Sequence, residues 1–234
     1  MTVSLTIIRY RKAFIFFAIL SMALFRLPLW MNRQISFWKL MGSGKNGSFD
    51  KTPDWQQWAI LVVHRSDMSR SSFHELYGSF IAKWIKMLGC ETWTVIMEPI
   101  EGHGTWDGEK AFGALPPKSN YAGMIGILTR ATIRVSKLKA FWSNVPAVSN
   151  KMSGATGLIC SLGIGEIPLI KQATFSVWES KEAMQQFAYQ MKEHAEVVRK
   201  TRQENWYSEE MFTRFRIIHE SGTIKGINPL DGKL

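Results

Sequence analysis

Cysteine is scarce in this chain, and the usual metal-ligand spacings are missing. Two cysteines among 234 residues cannot build a disulfide framework or a structural zinc site. A reducing compartment, the cytoplasm, is the simple expectation. No His-x-x-x-His or Cys-x-x-Cys pair occurs, which argues against a multi-ligand protein zinc centre. There is no Gly-x-Ser-x-Gly elbow and no P-loop lysine. Acidic residues are absent from the first 49 positions, which hold seven Lys and Arg. No low-complexity tract appears.

What is present is a core. The chain is 46% hydrophobic and 21% charged, with ten Trp and fourteen Phe, which excludes a disordered or fibrous protein. The net charge is +10, a surplus that suits an anionic partner: acidic protein, anionic lipid or nucleic acid. The aromatics fall on expected core faces and no recognition motif accompanies them, so nucleic acid is not expected.

Near the N-terminus, Val3 to Ile8 alternates like a strand and is followed by the apolar run Ala13–Phe25. Thirteen residues are too few for a spanning helix, which needs about 20. A signal peptide also places Lys and Arg before an apolar run, but Arg26-Leu27-Pro28 follows in place of a cleavage site. The expectation is a strand and then a helix with one very apolar face, set either in the core or against lipid.

The chain repeats itself weakly. Trp58–Ser66 aligns with Gln172–Ser180 at an offset of 114, Met41–Gly44 with Leu162–Gly165 at 121, and Gly104–Gly108 with Gly222–Gly226 at 118. Each half then reads strand, helix, strand, strand, helix, strand. Strands are expected near Val3–Tyr10, Ile35–Met41, Gln57–His64 and Thr92–Pro99, then Met124–Arg134, Gly157–Leu162, Gln172–Trp178 and Met211–Ile218. Helices are expected over Lys12–Arg26, Ser69–Met87, Ser136–Met152 and Lys181–Asn205. The fold class is α+β: two ferredoxin-like repeats, 1–108 and 122–234, joined by a linker at 109–121. Their antiparallel sheets would pair as in a dimeric α+β barrel, with helices outside.

One histidine is singled out. The apolar positions Met184, Phe187, Ala188, Met191, Ala195 and Val198 follow a helical period, and His194 lies on or beside that stripe. It is either a haem-iron ligand through Nε2 or a buried histidine with satisfied hydrogen bonds. The offset of 114 places Phe80 at the equivalent position of the first half, so one half alone could hold such a site. Arg130 and Arg134 share one strand face; buried, they need carboxylates or propionates, and exposed they are ordinary surface. Arg199, Arg202, Arg214 and Arg216 extend this basic region. Gln172, Thr174 and Ser176 line one face of a strand and would line a pocket if that face meets the His194 helix. Gly163-Ile164-Gly165-Glu166 reads as a structural turn. Cys90 and Cys160 read as apolar residues, with a Cys160 haem thiolate as the weaker alternative.

The motifs Phe37–Gly44, Gly104–Gly108, Leu128–Arg134 and Phe141-Trp142 resemble the spheroidene monooxygenase family of carotenoid biosynthesis. So do Val145–Ser149, Gly163–Pro168, Gln172–Trp178, His194–Arg199 and Trp206–Phe215. The resemblance implies an oxygenase that installs a keto group on an acyclic carotenoid by successive hydroxylations. It implies haem as cofactor, O2 as co-substrate and reduced ferredoxin as electron donor. On it, His194 becomes the iron ligand, Arg134 and Arg199 cofactor-binding groups, and Arg130, Gln172 and Ser176 the polar groups that act on bound oxygen. It also implies a cytoplasmic protein with peripheral membrane contact, and leaves a homo-oligomer open. Three other readings stand beside it: a non-enzymatic haem- or lipid-binding protein, a cofactor-free oxygenase on the same scaffold, and a membrane-anchored protein whose N-terminus is an uncleaved anchor.

Overall fold

The computed structural model describes residues 1–48, 50–152, 154–190 and 203–234. Eight antiparallel strands close one barrel, with helices on its outside. The first half runs β1 (Thr2–Arg9), α1 (Ile15–Leu24), α2 (Arg26–Met31), β2 (Ile35–Gly44), β3 (Pro53–His64), α3 (Phe73–Met87) and β4 (Glu91–Gly104). The second runs β5 (Ile125–Ile133), α4 (Leu138–Met152), β6 (Leu158–Ile167), β7 (Lys171–Trp178), α5 (Lys181–Gln190) and β8 (Tyr207–Gly222). Around the barrel the order is β1-β3-β2-β6-β7-β5-β8-β4, and β4 pairs with β1 to close it. The α+β expectation holds, with one closed barrel in place of two facing sheets.

Strand alternation explains the core. Val3, Leu5 and Ile7 point inward with Trp93, Val95, Phe175 and Phe215 and fill the barrel. The intervening Ser4, Thr6 and Ile8 face outward and are just as buried, because helices cover them. Both faces of β1 are dry, so its alternation is one of side-chain chemistry more than of exposure. The helix α3 begins at a Ser72 cap, whose hydroxyl accepts from the Glu75 N–H while Glu75 accepts from the Ser72 N–H at 2.7 Å. It therefore starts four residues later than its apolar pattern suggests. The N-terminal helical stretch is longer than expected: Lys12–Met31 covers 20 residues, long and apolar enough to cross a membrane.

The two halves meet at unequal seams. β4 and β8 pair continuously from Trp93↔Gly222 to Gly104↔Met211, with two bulges. β2 and β6 pair only at Gly42↔Gly165 and Ser43↔Ile164 among the described residues. The expected turn at Gly163–Glu166 is a correction: these residues continue β6 to Ile167. The glycine serves close approach, since a Cβ on Gly165 would lie 2.8 Å from the Lys171 carbonyl oxygen.

The same turn is built twice. Trp106↔Glu109 and Ile224↔Ile227 form matching bridges, with Asp107 and Lys225 both at positive φ. Glu209 accepts the Asp107 and Gly108 N–H groups and the Thr105 hydroxyl. Glu91 does the same for Lys225, Gly226 and Thr223.

Candidate functional site: the outer face of the second half

Hydrogen-bond register lets the two outer faces be compared rung by rung. In the first half one rung reads Ile96, Ser4, Val62, Trp38, and the next Thr94, Thr6, Ile60, Leu40. In the second half the corresponding rungs read Arg214, Ile127, Ser176, Ser161 and Phe212, Thr129, Thr174, Gly163. Trp38, Leu40, Ile60 and Val62 thus give way to Ser161, Gly163, Thr174 and Ser176. The first face is packed with Leu40, Ile60, Val62 and Ile96 under α1, α2 and α3. On β6 and β7 the second has lost side-chain volume and gained hydroxyls, while on β5 and β8 Ser4, Thr94 and Ile96 give way to the larger Ile127, Phe212 and Arg214. A face that must only bury a helix keeps its apolar groups; one that trades them for Ser, Thr and Gly has hydrogen-bonding groups for something else.

Two helices border this face. α5 packs on it through Met184, Phe187 and Ala188 against Ile125, Ile127 and Trp178, with the Phe187 and Trp178 rings 5.2 Å apart. α4 sits over the end of β5 through Phe141, Trp142 and Val145, beside Ile133 and Trp206. Between them Thr129 is exposed and Thr174 and Gln172 are half-buried. The strand carrying Gln172, Thr174 and Ser176 meets α5 at its Trp178 end; the His194 stretch of the expected helix lies outside the described residues.

The polar groups are oriented. The Ser176 hydroxyl accepts from the Trp178 indole at 3.0 Å, which leaves its own proton to donate elsewhere. Gln172 donates its amide to the Ile167 carbonyl at 3.1 Å, leaving Oε1 as an acceptor. At the β8 edge, Glu101 is 2% exposed and takes ion pairs from Arg214 and from Lys181, the latter at 2.8 Å. Two cations on one carboxylate leave a surplus positive charge. Arg214 Nε is buried with no protein partner, and its guanidinium lies 4.8 Å from the Phe212 ring centre. Burial presses this guanidinium below its ordinary pKa. The arrangement fits an anionic group laid against the sheet, a propionate being one such group. Sequence spacing gave Arg214 no role, because its partner Glu101 is 113 residues away.

The expected site residues do not all gather here. Ser176 and Gln172 lie on the outer face. Arg130 points the other way, into one mouth of the barrel, where it is 2% exposed. Its guanidinium pairs with Glu209, with Asp107 at 3.0 Å and with Glu166 at 3.9 Å. Lys39 and Lys171 complete the cluster on Asp107, and Lys39 also reaches Glu166 at 3.1 Å. Three cations meet three carboxylates, so no charge remains for a ligand. Burial opposes ionisation of Asp107 and Glu209. Hydrogen bonds from Lys171 and Lys39 to the first, and from Gly108, Thr105 and Arg130 to the second, outweigh it and hold each at about 2. Arg134 is exposed and stands just past the end of β5, donating its backbone N–H to the Trp206 carbonyl. It therefore does not share a strand face with Arg130. His194 and Arg199 lie outside the described residues.

Other histidines are placed. His103 is in β4 and stacks on Phe212 at 5.6 Å. His64 is buried against Ser4, 2.9 Å from its hydroxyl. Cys160 sits against the barrel core, and burial pushes its thiol up to about 12. Among the described residues no group of three His, Cys, Asp or Glu could hold a metal ion.

No family model matches the chain. Of solved structures, an aldoxime dehydratase in complex with butyraldoxime superposes with a TM-score of 0.63 at 10% identity, covering 93% of this chain and 79% of that one. A second aldoxime dehydratase gives 0.62 at 10% identity, over 92% and 80%. At such identity the likeness concerns the fold alone. Among curated proteins, the spheroidene monooxygenase of Cereibacter sphaeroides is 33% identical over 83% of this chain, which spans 59% of that protein's length. That of Rubrivivax gelatinosus is 30% identical over 81% of this chain and 72% of its own. That of Rhodobacter capsulatus is 34% identical over 219 residues, 91% of this chain and 88% of its own. Identity at that level, sustained along nearly the whole of both sequences, means that the chain belongs to the spheroidene monooxygenase family.

Proposed function

We propose that this chain is a haem-dependent monooxygenase that introduces a keto group into an acyclic carotenoid such as spheroidene, by successive hydroxylations. O2 is the co-substrate and a reduced ferredoxin the electron donor. The observation that carries the reading is the 34% identity to the Rhodobacter capsulatus protein over 91% of the chain. The thinned outer face of the second half supports that face as the place of the cofactor.

Haem, when bound, supplies the activation of O2. The protein's part is to hold, orient and keep dry. His194 and Arg199 would hold the haem, the first through its iron and the second through a propionate. Arg214 is the cation on the described face best suited to a propionate, since Glu101 leaves it a buried N–H to give. Trp178 occupies an acceptor site of the Ser176 oxygen, so the Ser176 proton points away from the indole and would be free to donate to a polar ligand on this face. Gln172 offers an acceptor on the same strand. Ile125, Ile127, Trp178 and Met184 form an apolar wall that excludes water from a reactive oxidant. The basic surplus of the chain would draw an acidic ferredoxin.

On this reading the halves 1–108 and 122–234, joined through 109–121, are ferredoxin-like units. One chain then supplies both halves of the barrel, and a homo-oligomer is not needed to complete it. The location is cytoplasmic.

The test is the absorption spectrum of protein produced with haem supplied. A Soret band, shifted by CO after reduction and lost in His194→Ala, is expected. Turnover of an acyclic carotenoid should require O2 and reduced ferredoxin. A folded protein with no haem band would overturn the mechanism.

A further inference from the structure

The helices of the first half expose an apolar surface that the barrel does not use. Tyr10 donates its hydroxyl to Ser21 at 3.0 Å, and Ala18, Ser21 and Leu29 are the buried positions of α1 and α2. That face fastens the two helices flat on the sheet. Their other face carries Phe16, Ile19, Leu27 and Trp30, exposed by 70%, 48%, 61% and 75%. On α3, Phe80 and Met87 are exposed as well. The patch is continuous across the helices, because Phe80 touches Phe25 and Trp84, and Trp84 touches Phe17. Single exposed apolar residues need no explanation; a contiguous set of aromatics and aliphatics does.

Its rim is basic. Arg11, Lys12, Arg26 and Arg33 flank α1 and α2 and are all exposed, as are Lys83 and Lys86 on α3. No Asp or Glu occurs in residues 1–49. The one acidic residue of α3, Glu75, is in its first turn, away from Lys83 and Lys86. An apolar centre with Trp and Phe, ringed by cations and free of carboxylates, is the complement of an anionic lipid surface. A second copy of the chain would bring the same cations face to face.

We propose that the α1–α2–α3 face docks on an anionic bilayer, with the helices lying in the interface plane. Although Lys12–Met31 has the length and hydropathy of a spanning segment, its attachment to the sheet through Ser21 and Ala18 keeps it parallel to the barrel wall. The proposal needs neither cofactor nor substrate, so it stands or falls separately from the oxygenase reading.

The experiment is flotation of the full chain with vesicles of phosphatidylcholine alone and with added phosphatidylglycerol. Binding is expected to the anionic vesicles and to weaken as salt is raised. Ile19→Glu with Trp30→Glu should reduce it at least tenfold with an unchanged melting curve, as both side chains are exposed. Val135→Glu, an exposed apolar position of the second half, should leave it intact. Equal binding to neutral vesicles, or none to either, overturns the proposal. So does undiminished binding of the double variant, or a chain that resists carbonate extraction and therefore spans. Loss of a dimer in the double variant without vesicle binding would assign the patch to a second copy instead.

Discussion

Returning the first half's side chains to the second should separate folding from loading. Thr174→Ile and Ser176→Val restore what Ile60 and Val62 supply on the corresponding rungs, where both are buried. Each change swaps a hydroxyl for two carbons, and burial is worth about 0.8 kcal/mol per methylene. Thr174 is half-buried, so its share is about 1 kcal/mol. Ser176→Val gains a similar amount and loses about 1 kcal/mol with the Trp178 indole bond. The sum is near +1 kcal/mol, a rise of roughly 2–4 °C in melting temperature for a chain of this size. Haem loading should move the other way, by tenfold or more, because the added carbons occupy the space the hydroxyls leave and remove two polar groups. Calorimetry of protein produced without haem gives the first quantity and Soret absorbance per protein gives the second. Undiminished loading with a raised melting temperature would remove this face as the cofactor site. A melting temperature lowered by many degrees would show that the face is wetter than the register implies.

Four further outcomes follow from groups described above. Arg130→Met should lower stability by about 3–5 kcal/mol, since it leaves Glu209 and Asp107 without their buried partner; folded protein should still load haem, and a selective loss of turnover would contradict the structural role. Asp107 and Glu209 have folded pKa values below their unfolded ones, so their stabilisation is full above the usual carboxylate range and disappears as pH falls through about 2; acid unfolding should begin below about pH 4, and Asp107→Asn should blunt it. His64 is held neutral by burial, with its pKa down at about 4. Between there and 6.5 the unfolded chain binds the extra proton, so stability should climb with pH by up to about 3 kcal/mol. Denaturant titrations at pH 4.5 and 7 on the natural chain and on His64→Gln would measure it, and equal slopes would refute it. Cys90 and Cys160, both pushed up to about 12 by burial, should resist iodoacetamide at pH 8 until the protein is unfolded, as followed by mass.

Strand and helix order was legible in the sequence because alternation and helical period are local. What failed was everything set by contact between distant segments. Gly163 and Gly165 look like a turn on paper, and only the approach of β2 and the Lys171 carbonyl makes them strand residues. Arg130 and Ser176 both sit on strands of the second half, and alternation puts each on one of two faces without saying which is the interior. Closure of the barrel turns Arg130 in and Ser176 out. The polar run Gln172, Thr174, Ser176 was visible, but its meaning came from the rung opposite, where the first half keeps Ile60 and Val62. Arg214 was visible only as part of a basic region, because the buried Glu101 that holds it is 113 residues away.

The unequal seams make the barrel mechanically lopsided. Along β4 and β8 the wall is a long zipper, and along β2 and β6 it is, among the described residues, two residue pairs helped by the Lys39–Glu166 ion pair and by the Ser43 hydroxyl, which donates to the Gly163 carbonyl at 3.0 Å and accepts from Gln57. A cylinder stitched so lightly on one side behaves as a clamshell with its spine at β4–β8. Thermal breathing should begin by parting β2 from β6, and their amides should take up deuterium well before those of β1 or β4. Because β6 borders the hydroxyl-bearing face, the same slit gives the second half a way to widen without unfolding the first.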